Sequence, residues 1–278
     1  MRPNDAGNAA NQRPSRPLTP DQAWQITTAR AAECVLFFDF DGVVAPVGDD
    51  PNAVQPVPEV MSAIAGLTEV VRRVAVVSAR PVDFLRERFG HLPEVDLYGL
   101  YGLEHSRGAG ETVTEPAALP WVPAMAELAE RAREELPEGA LVEYKRLSVA
   151  LHYRTNPQVA GEVEAWGRAE AERLGLKVQT GRMVIELKPP VDRDKGIVIG
   201  EVARTAGCAW YFGDDVSDIK AFDALRALEA SDPHFFGICV AVANPETGQE
   251  VARAADLTLD SPQALGKFLA EALQTLRS

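Results

Sequence analysis

The stretch Cys34-Val-Leu-Phe-Phe-Asp39-Phe-Asp41-Gly42 decides the fold. Its apolar part is continuous, not alternating, and rich in β-branched and aromatic residues. Such a run predicts a strand covered on both faces, the condition of strands in parallel sheets. Two carboxylates follow at once, and Gly42 permits a tight exit. Working outward, a helix is expected around Pro58–Thr68 after a Pro-rich loop, then a second buried strand, Arg73-Val-Ala-Val-Val-Ser78. Pro81–Phe89 reads as a helix with Pro near its first turn, and Leu97–Leu103 as a short third strand. From Asp194 onward, helices at 195–206, 217–228, 245–253 and 262–276 alternate with strands at 209–212, 236–242 and 256–259. This alternation predicts an α/β fold, a parallel sheet covered by helices.

The middle of the chain breaks the pattern. Trp121–Leu136 and Gln158–Leu174 read as helices, Leu141–Tyr153 holds two β-like runs, and Lys177–Leu187 suggests a hairpin with Thr180-Gly181 at its turn. Residues 109–191 are therefore expected to be an inserted α+β domain, and residues 21–108 with 192–278 the main one. Residues 1–20, rich in Pro, Asn, Ala and Arg, are expected to be a mobile tail. The 278 residues carry 28 Lys plus Arg against 41 Asp plus Glu, a net charge of −13, and are 46% hydrophobic, ample for a buried core. That acidity argues against nucleic-acid or anionic-membrane partners, while leaving room for one small phosphorylated ligand in a locally basic pocket. Cys34, Cys208 and Cys239 show no disulfide framework and no metal-binding spacing, and read as reduced core thiols. No apolar run approaches the roughly 18 residues of a membrane span. The N-terminal residues lack the apolar stretch of a secretory signal, so a cytoplasmic protein is expected. The oligomeric state is open, with a monomer as the working expectation.

Four features fall at expected strand ends, where open parallel sheets place ligands. The first is Asp39-Phe40-Asp41-Gly42, whose paired acids suit a nucleophile and an acid/base sharing a divalent metal; the alternative is a solvated loop. The second is Ser78, with Arg80 two residues on: a hydroxyl able to reach a phosphoryl oxygen, or simply a helix N-cap. The third is Asp194-Lys195-Gly196 before an apolar helix. A lysine there opposes the helix dipole, so it needs a reason such as screening a carboxylate from a phosphate, unless it is merely solvated. The fourth is Gly213-Asp214-Asp215-Val216-Ser217-Asp218, three acids suited to a hard, oxygen-ligated cation, for which Mg²⁺ fits best. Capping by Asp215 or Ser217 would explain only part of it.

The order Asp-x-Asp, Ser, Lys, Gly-Asp-Asp resembles the four motifs of haloacid-dehalogenase-type phosphatases. The inserted block lies between the second and third motifs, where that superfamily carries its larger caps. The resemblance implies a Rossmann-like parallel-sheet core with an inserted α+β cap domain. Within the insert, Glu143-Tyr-Lys145 with His152-Tyr153-Arg154 resembles the E-x-K…H-Y-R stretch of trehalose-phosphate phosphatases. Leu100-Tyr-Gly102-Leu-Glu104 is similar to their G-x-H-G-x-E segment, with Tyr101 in place of His. Met183-Val-Ile-Glu186-Leu-Lys188-Pro189 is similar to their V-x-E-x-R-P, with Lys188 in place of Arg, and Ile219 stands where an acid is usual after Asp218.

The cap residues also have a rationale of their own. A disaccharide needs fixed donors and acceptors, and Glu143 with Lys145, and Glu186 with Lys188, sit at i, i+2 on β-like runs, so each pair shares one face. Cross-strand salt bridging on a wet sheet is the competing reading. His152 reads as a packed or capping histidine, and Trp121, Trp166 and Trp210 as core residues. The resemblance implies hydrolysis of trehalose 6-phosphate, a small-molecule substrate, through an aspartyl phosphate on Asp39. Asp41 would be the acid/base. Mg²⁺ would be held by Asp39, the Asp41 backbone carbonyl and Asp214. Ser78 and Lys195 would take the phosphoryl oxygens, with Asp215 and Asp218 in support. Arg80, Glu104, Glu143, Lys145, Arg154, Glu186 and Lys188 are the expected substrate-binding residues. Alternatives are a phosphatase of another glycosyl phosphate, such as sucrose or glucosylglycerol phosphate, and a non-enzymatic sugar-phosphate sensor, which would have no need of a nucleophile.

Overall fold

A computed structural model describes residues 18–48, 50, 53–181, 183–244 and 247–277. The first element is α1 (Pro20–Thr28), started by a capping box in which Thr19 and Gln22 each accept the other's backbone N–H. Leu18 is buried in the core. Leu18, Thr19 and Pro20 therefore belong to the packed structure and not to the expected tail, whose residues 1–17 lie outside the described ones. Next come β1 (Cys34–Phe38), α2 (Pro58–Leu67), β2 (Arg73–Val77), α3 (Val82–Phe89) and β3 (Val95–Gly99). The third strand was expected to reach residue 103. It ends at Gly99 because Leu100, Tyr101 and Gly102 take φ of 50°, 59° and 93° and reverse the chain. The reversal yields two strands absent from the sequence reading, β4 (Glu104–Ser106) and β5 (Val113–Thr114).

The inserted segment holds α4 (Val122–Glu135), β6 (Leu141–Tyr144), β7 (Val149–His152), α5 (Ala160–Leu174), β8 (Lys177–Gly181) and β9 (Val184–Lys188). The chain closes with α6 (Lys195–Val202), β10 (Cys208–Gly213), α7 (Val216–Ser231), β11 (Phe236–Val242), α8 (Gln249–Ala254), β12 (Leu257–Leu259) and α9 (Pro262–Arg277).

The larger sheet runs β12-β11-β10-β1-β2-β3-β4-β5, parallel from β12 to β3 and antiparallel at β4 and β5. Its central strands are buried on both sides, so their side chains alternate between two cores. Leu36, Phe38, Val74, Val76, Trp210 and Phe212 join one core with residues of α1, α2, α3 and α9. Val35, Phe37, Ala75, Val77, Ala209 and Tyr211 join the other with residues of α6, α7 and α8. That explains the unbroken apolar runs: each face has its own helical layer.

The smaller sheet, β6-β7-β9-β8, is antiparallel throughout. One face, with Val149, Leu151, Ile185 and Leu187, packs on α4 and α5. The hairpin turn lies beyond its expected place. Gly181 pairs with Val184, so Thr180 and Gly181 are still strand, and Met183 supplies a left-handed φ of 58°. The expected insert began at 109, yet β5 pairs with β4 in the larger sheet, so residues 113 and 114 go with the core sheet. Among the described residues no helix is long and apolar enough to cross a membrane.

Candidate active site

The parallel register aligns Phe38 of β1 with Phe212 of β10. The residues that follow, Asp39 and then Asp214 past Gly213, leave the sheet side by side at its C-terminal edge. Asp39 N–H donates to the Phe212 carbonyl at 2.9 Å, which extends the ladder by one bond and aims the Asp39 carboxylate into the crevice. Two glycines make the approach possible. Gly42 has φ +79°, and a Cβ there would lie 2.1 Å from Asp214 Oδ2; a Cβ on Gly213 would lie 2.4 Å from Asp218 Cβ.

Lys195 stands at the first turn of α6, 2% exposed, with Nζ 2.9 Å from Asp39 Oδ2 and 2.6 Å from Asp218 Oδ1. These two carboxylates explain a lysine where the helix dipole disfavours one. Its ammonium is held strongly in the charged form: burial opposes this, but Asp218 and Asp39 outweigh it. Asp218 Oδ1 also accepts from Tyr211 Oη at 2.6 Å, and its Oδ2 accepts the backbone N–H of Asp214 at 3.0 Å and of Asp215 at 3.1 Å. With four donors its carboxylate is saturated, which makes it an anchor. Asp215 caps α7 and, with Asp218, completes a capping box.

Asp39, Asp214 and Asp218 can bring one ligand oxygen each within 4.8 Å of one another. One lysine cannot neutralise three buried carboxylates. Burial therefore pushes the Asp39 carboxyl up to about 8, against the pull of Lys195 and with the push of Asp218 and Asp41, and burial also raises Asp214 well above the carboxylate range. Asp214 Oδ2 accepts from Asn244 Nδ2 at 2.7 Å, but its buried Oδ1 has no hydrogen-bond partner among the described residues. An orphaned carboxylate oxygen beside a second buried carboxylate is a donor set that fits a hard divalent cation.

Asp41 is gripped by Arg80, Nε to Oδ2 at 2.7 Å and Nη2 to Oδ1 at 2.8 Å. This fork fixes both carboxylate oxygens. Arg80, expected on the substrate, lines the cavity, holds Asp41 and reaches Glu143 of the small sheet at 3.4 Å. Ser78 is buried at the end of β2, accepts Arg80 N–H at 3.1 Å and faces the same cavity.

That cavity, about 200 Å³, lies between the edge of the larger sheet and the polar face of the smaller one. Register builds the face. Glu143 pairs with Ala150, Ala150 with Glu186 and Glu186 with Gln179; in the next row Lys145 pairs Ser148 by backbone, and Lys188 pairs Lys177. Glu143 takes His152 Nε2 at 2.8 Å and Lys145 at 3.7 Å. Burial opposes its charge, but His152, Lys145 and Arg80 together hold its carboxyl down at about 2. Glu186 is held below the usual carboxylate range, despite burial, by Lys145, Lys188, Ser148 and Tyr101.

Asp39, Asp41, Ser78, Arg80, Lys195, Asp214, Asp215, Glu143, Lys145, Arg154 and Glu186 thus border one cavity. Two expected substrate ligands do not. Glu104 is spent on the Val82 N–H at 3.1 Å and Arg146 at 3.1 Å, so it braces the start of α3. Lys188 lies behind the lining, its Nζ 3.9 Å from the Tyr101 ring centroid and bonded to Gln179. Burial lowers its pKa to about 8. Tyr211, Asn244, Ser148 and Gln179 were not singled out from the sequence. Their roles depend on cross-strand register and helix packing, which no local pattern in the chain displays.

The trehalose-phosphatase family model matches residues 37–263. The trehalose-phosphate phosphatase of Mycobacterium avium is 37% identical over 245 residues, covering 84% of this chain and 60% of its own. That of Mycolicibacterium paratuberculosis is 38% identical over the same length and coverage. The chain spans about three fifths of the length of these curated relatives. The C-terminal domain of Candida albicans trehalose-6-phosphate phosphatase superposes with a TM-score of 0.76 at 20% identity, over 92% of this chain and 97% of that one, a likeness of fold. The fold is a haloacid-dehalogenase-type core carrying a cap.

Proposed function

The chain belongs to the trehalose-phosphatase family, and from that premise we propose that it is a cytoplasmic, Mg²⁺-dependent phosphatase that hydrolyses trehalose 6-phosphate to trehalose and inorganic phosphate. The observation that carries the reading is one cavity with two chemically different walls. Asp39, Lys195 and Asp214, with Asp218 buried behind Lys195, form one, and the charged face of the cap sheet, with Glu143, Lys145 and Glu186, forms the other.

Asp39 is the nucleophile. Its carboxylate oxygen attacks phosphorus, the bond between phosphorus and the sugar oxygen breaks, and an aspartyl phosphate forms. Asp41, positioned by Arg80, enters this step as the carboxylic acid, with one of its oxygens carrying the proton in place of an Arg80 bond, and gives that proton to the departing sugar oxygen. It then takes a proton from the water whose oxygen attacks phosphorus, releasing phosphate and restoring Asp39. Lys195 and Ser78 hold phosphoryl oxygens, and Asp218 keeps Lys195 in place. Asp39 and Asp214, with the Asp41 backbone carbonyl, would hold Mg²⁺, which when bound supplies positive charge between the nucleophile and the phosphate dianion. The cap carboxylates and ammonium groups read sugar hydroxyls.

Phosphate release from trehalose 6-phosphate, sucrose 6-phosphate and glucosylglycerol phosphate, with and without chelator, tests this. The expected result is preferential, chelator-sensitive release from trehalose 6-phosphate; preference for another ester rejects the substrate, and no release from any rejects the enzyme.

A further inference from the structure

Tyr101 reaches the sugar-facing wall from the wrong side of the molecule. It belongs to the larger sheet's turn after β3, yet its Oη donates to Glu186 Oε2 of the cap at 3.0 Å. Its backbone is in the left-handed region, φ 59° and ψ 27°, which a bulky side chain adopts only when its surroundings impose it. Here the imposing contacts are two: Tyr101 N–H donates to the Ser78 carbonyl and Leu100 N–H to the Arg80 carbonyl, both at 2.9 Å. The turn that carries Tyr101 is thereby zipped to the loop that carries Ser78 and Arg80. Lys188, 3.9 Å from the ring centroid, covers one side of the ring, and Tyr101 itself is buried while bordering the cavity.

The other donors to Glu186 come from the cap: Ser148 at 2.6 Å and Lys145 at 3.3 Å, both to Oε1. Those bonds lie within the cap. The Tyr101 bond ties the remaining oxygen to the phosphate-binding loops. We propose that Tyr101 is a positioning residue for sugar recognition: it acts through Glu186 and sets where that carboxylate stands relative to Ser78. The inference rests on the proposed hydrolysis of trehalose 6-phosphate. It assigns Tyr101 a task distinct from the chemistry on Asp39. A substrate too small to reach Glu186 does not draw on this bond, whereas a disaccharide phosphate does.

The test is Tyr101→Phe, which deletes the hydroxyl and keeps the ring beneath Lys188. Expected is a rise in KM for trehalose 6-phosphate that lowers kcat/KM roughly 10- to 150-fold, the range for one hydrogen bond to a charged group. kcat should stay within about threefold, and kcat/KM for p-nitrophenyl phosphate should fall by no more than about threefold. Glu186→Gln removes the acceptor's charge from the other side and should show the same split. Adding Tyr101→Phe to Glu186→Gln should then cost clearly less than Tyr101→Phe costs in the wild type, because only a neutral hydrogen bond to the amide oxygen is left to lose. Equal losses on both substrates, no loss on either, or fully multiplicative losses in the double variant would overturn the assignment of Tyr101 alone. A wild-type enzyme that turns over p-nitrophenyl phosphate but not trehalose 6-phosphate would overturn the proposed substrate, and this inference with it.

Discussion

Individual residues divide into those whose task follows from their place along the chain and those whose task follows from a partner far away in it. Asp39, Asp41, Lys195 and Asp214 are of the first kind. They end or begin elements at the rim of a parallel sheet, and a strand-end acid or a helix-start lysine is visible in the sequence. Glu104 and Lys188 are of the second kind. Nothing local says that Glu104 is consumed by Val82 N–H and Arg146, or that Lys188 lies on the Tyr101 ring. The orphaned Asp214 Oδ1 leads to a binding prediction. Mg²⁺ added to chelator-stripped protein should raise stability by about 1.4–2.7 kcal/mol at ten to a hundred times Kd, seen as a higher melting temperature, and Asp214→Asn should abolish the rise. An equal rise in the variant would place the cation elsewhere. Glu143 leads to a pH prediction. His152, Lys145 and Arg80 lower its folded pKa to about 2 from 4.5. The folded state therefore binds fewer protons than the unfolded one, and the stabilisation is present above about pH 4.5 and lost as pH falls toward 2. Its full size is about 3 kcal/mol. Urea unfolding should show Glu143→Gln less stable than wild type at pH 7, with the gap narrowing by pH 3; a gap independent of pH would contradict the ion-pair origin.

At the scale of elements, the central parallel strands of the larger sheet were legible because burial on both faces removes alternation, and a continuous apolar run of five to seven residues has few other uses; the short antiparallel β4 and β5 carry no such run. The positive-φ reversal at Leu100–Gly102 was not legible, since neither Leu100 nor Tyr101 signals a left-handed conformation. The hairpin turn was misplaced for the same reason: Thr180-Gly181 looks like a turn, while Met183 does the turning. The turn after β1 makes the sharpest demand on one residue. Gly42→Ala must place a methyl group 2.1 Å from Asp214 Oδ2 in a backbone with φ +79°. The left-handed backbone alone costs about 1–2 kcal/mol, and Asp214 must also move. Expected are that loss in urea unfolding and at least a hundredfold fall in phosphate release, about 2.7 kcal/mol of transition-state binding. Retention of full activity would mean that the turn does not set Asp214.

On the scale of the whole molecule, two sheets with different side-chain patterns meet around one cavity. The parallel sheet and the start of α6 supply buried carboxylates and a lysine; the antiparallel sheet offers a charged face whose other side is apolar and helix-covered. The division into an α/β part and an α+β insert could be read from where the alternation breaks, though the exact crossing could not, because β5 returns to the larger sheet after the apparent break. The central claim is that the core wall performs the chemistry and the cap wall chooses the sugar. Lys145→Gln tests it most directly. Lys145 is buried between Glu143 and Glu186, 3.7 Å and 3.3 Å from them, on the smaller sheet's side of the cavity. Measured side by side, with a melting curve to confirm folding, kcat/KM for trehalose 6-phosphate should fall roughly 10- to 150-fold, the equivalent of a lost charge-assisted hydrogen bond of about 1.5–3 kcal/mol. Hydrolysis of p-nitrophenyl phosphate should stay within about threefold of wild type. Equal losses on the two substrates, or no loss on either, would contradict a sugar-reading cap.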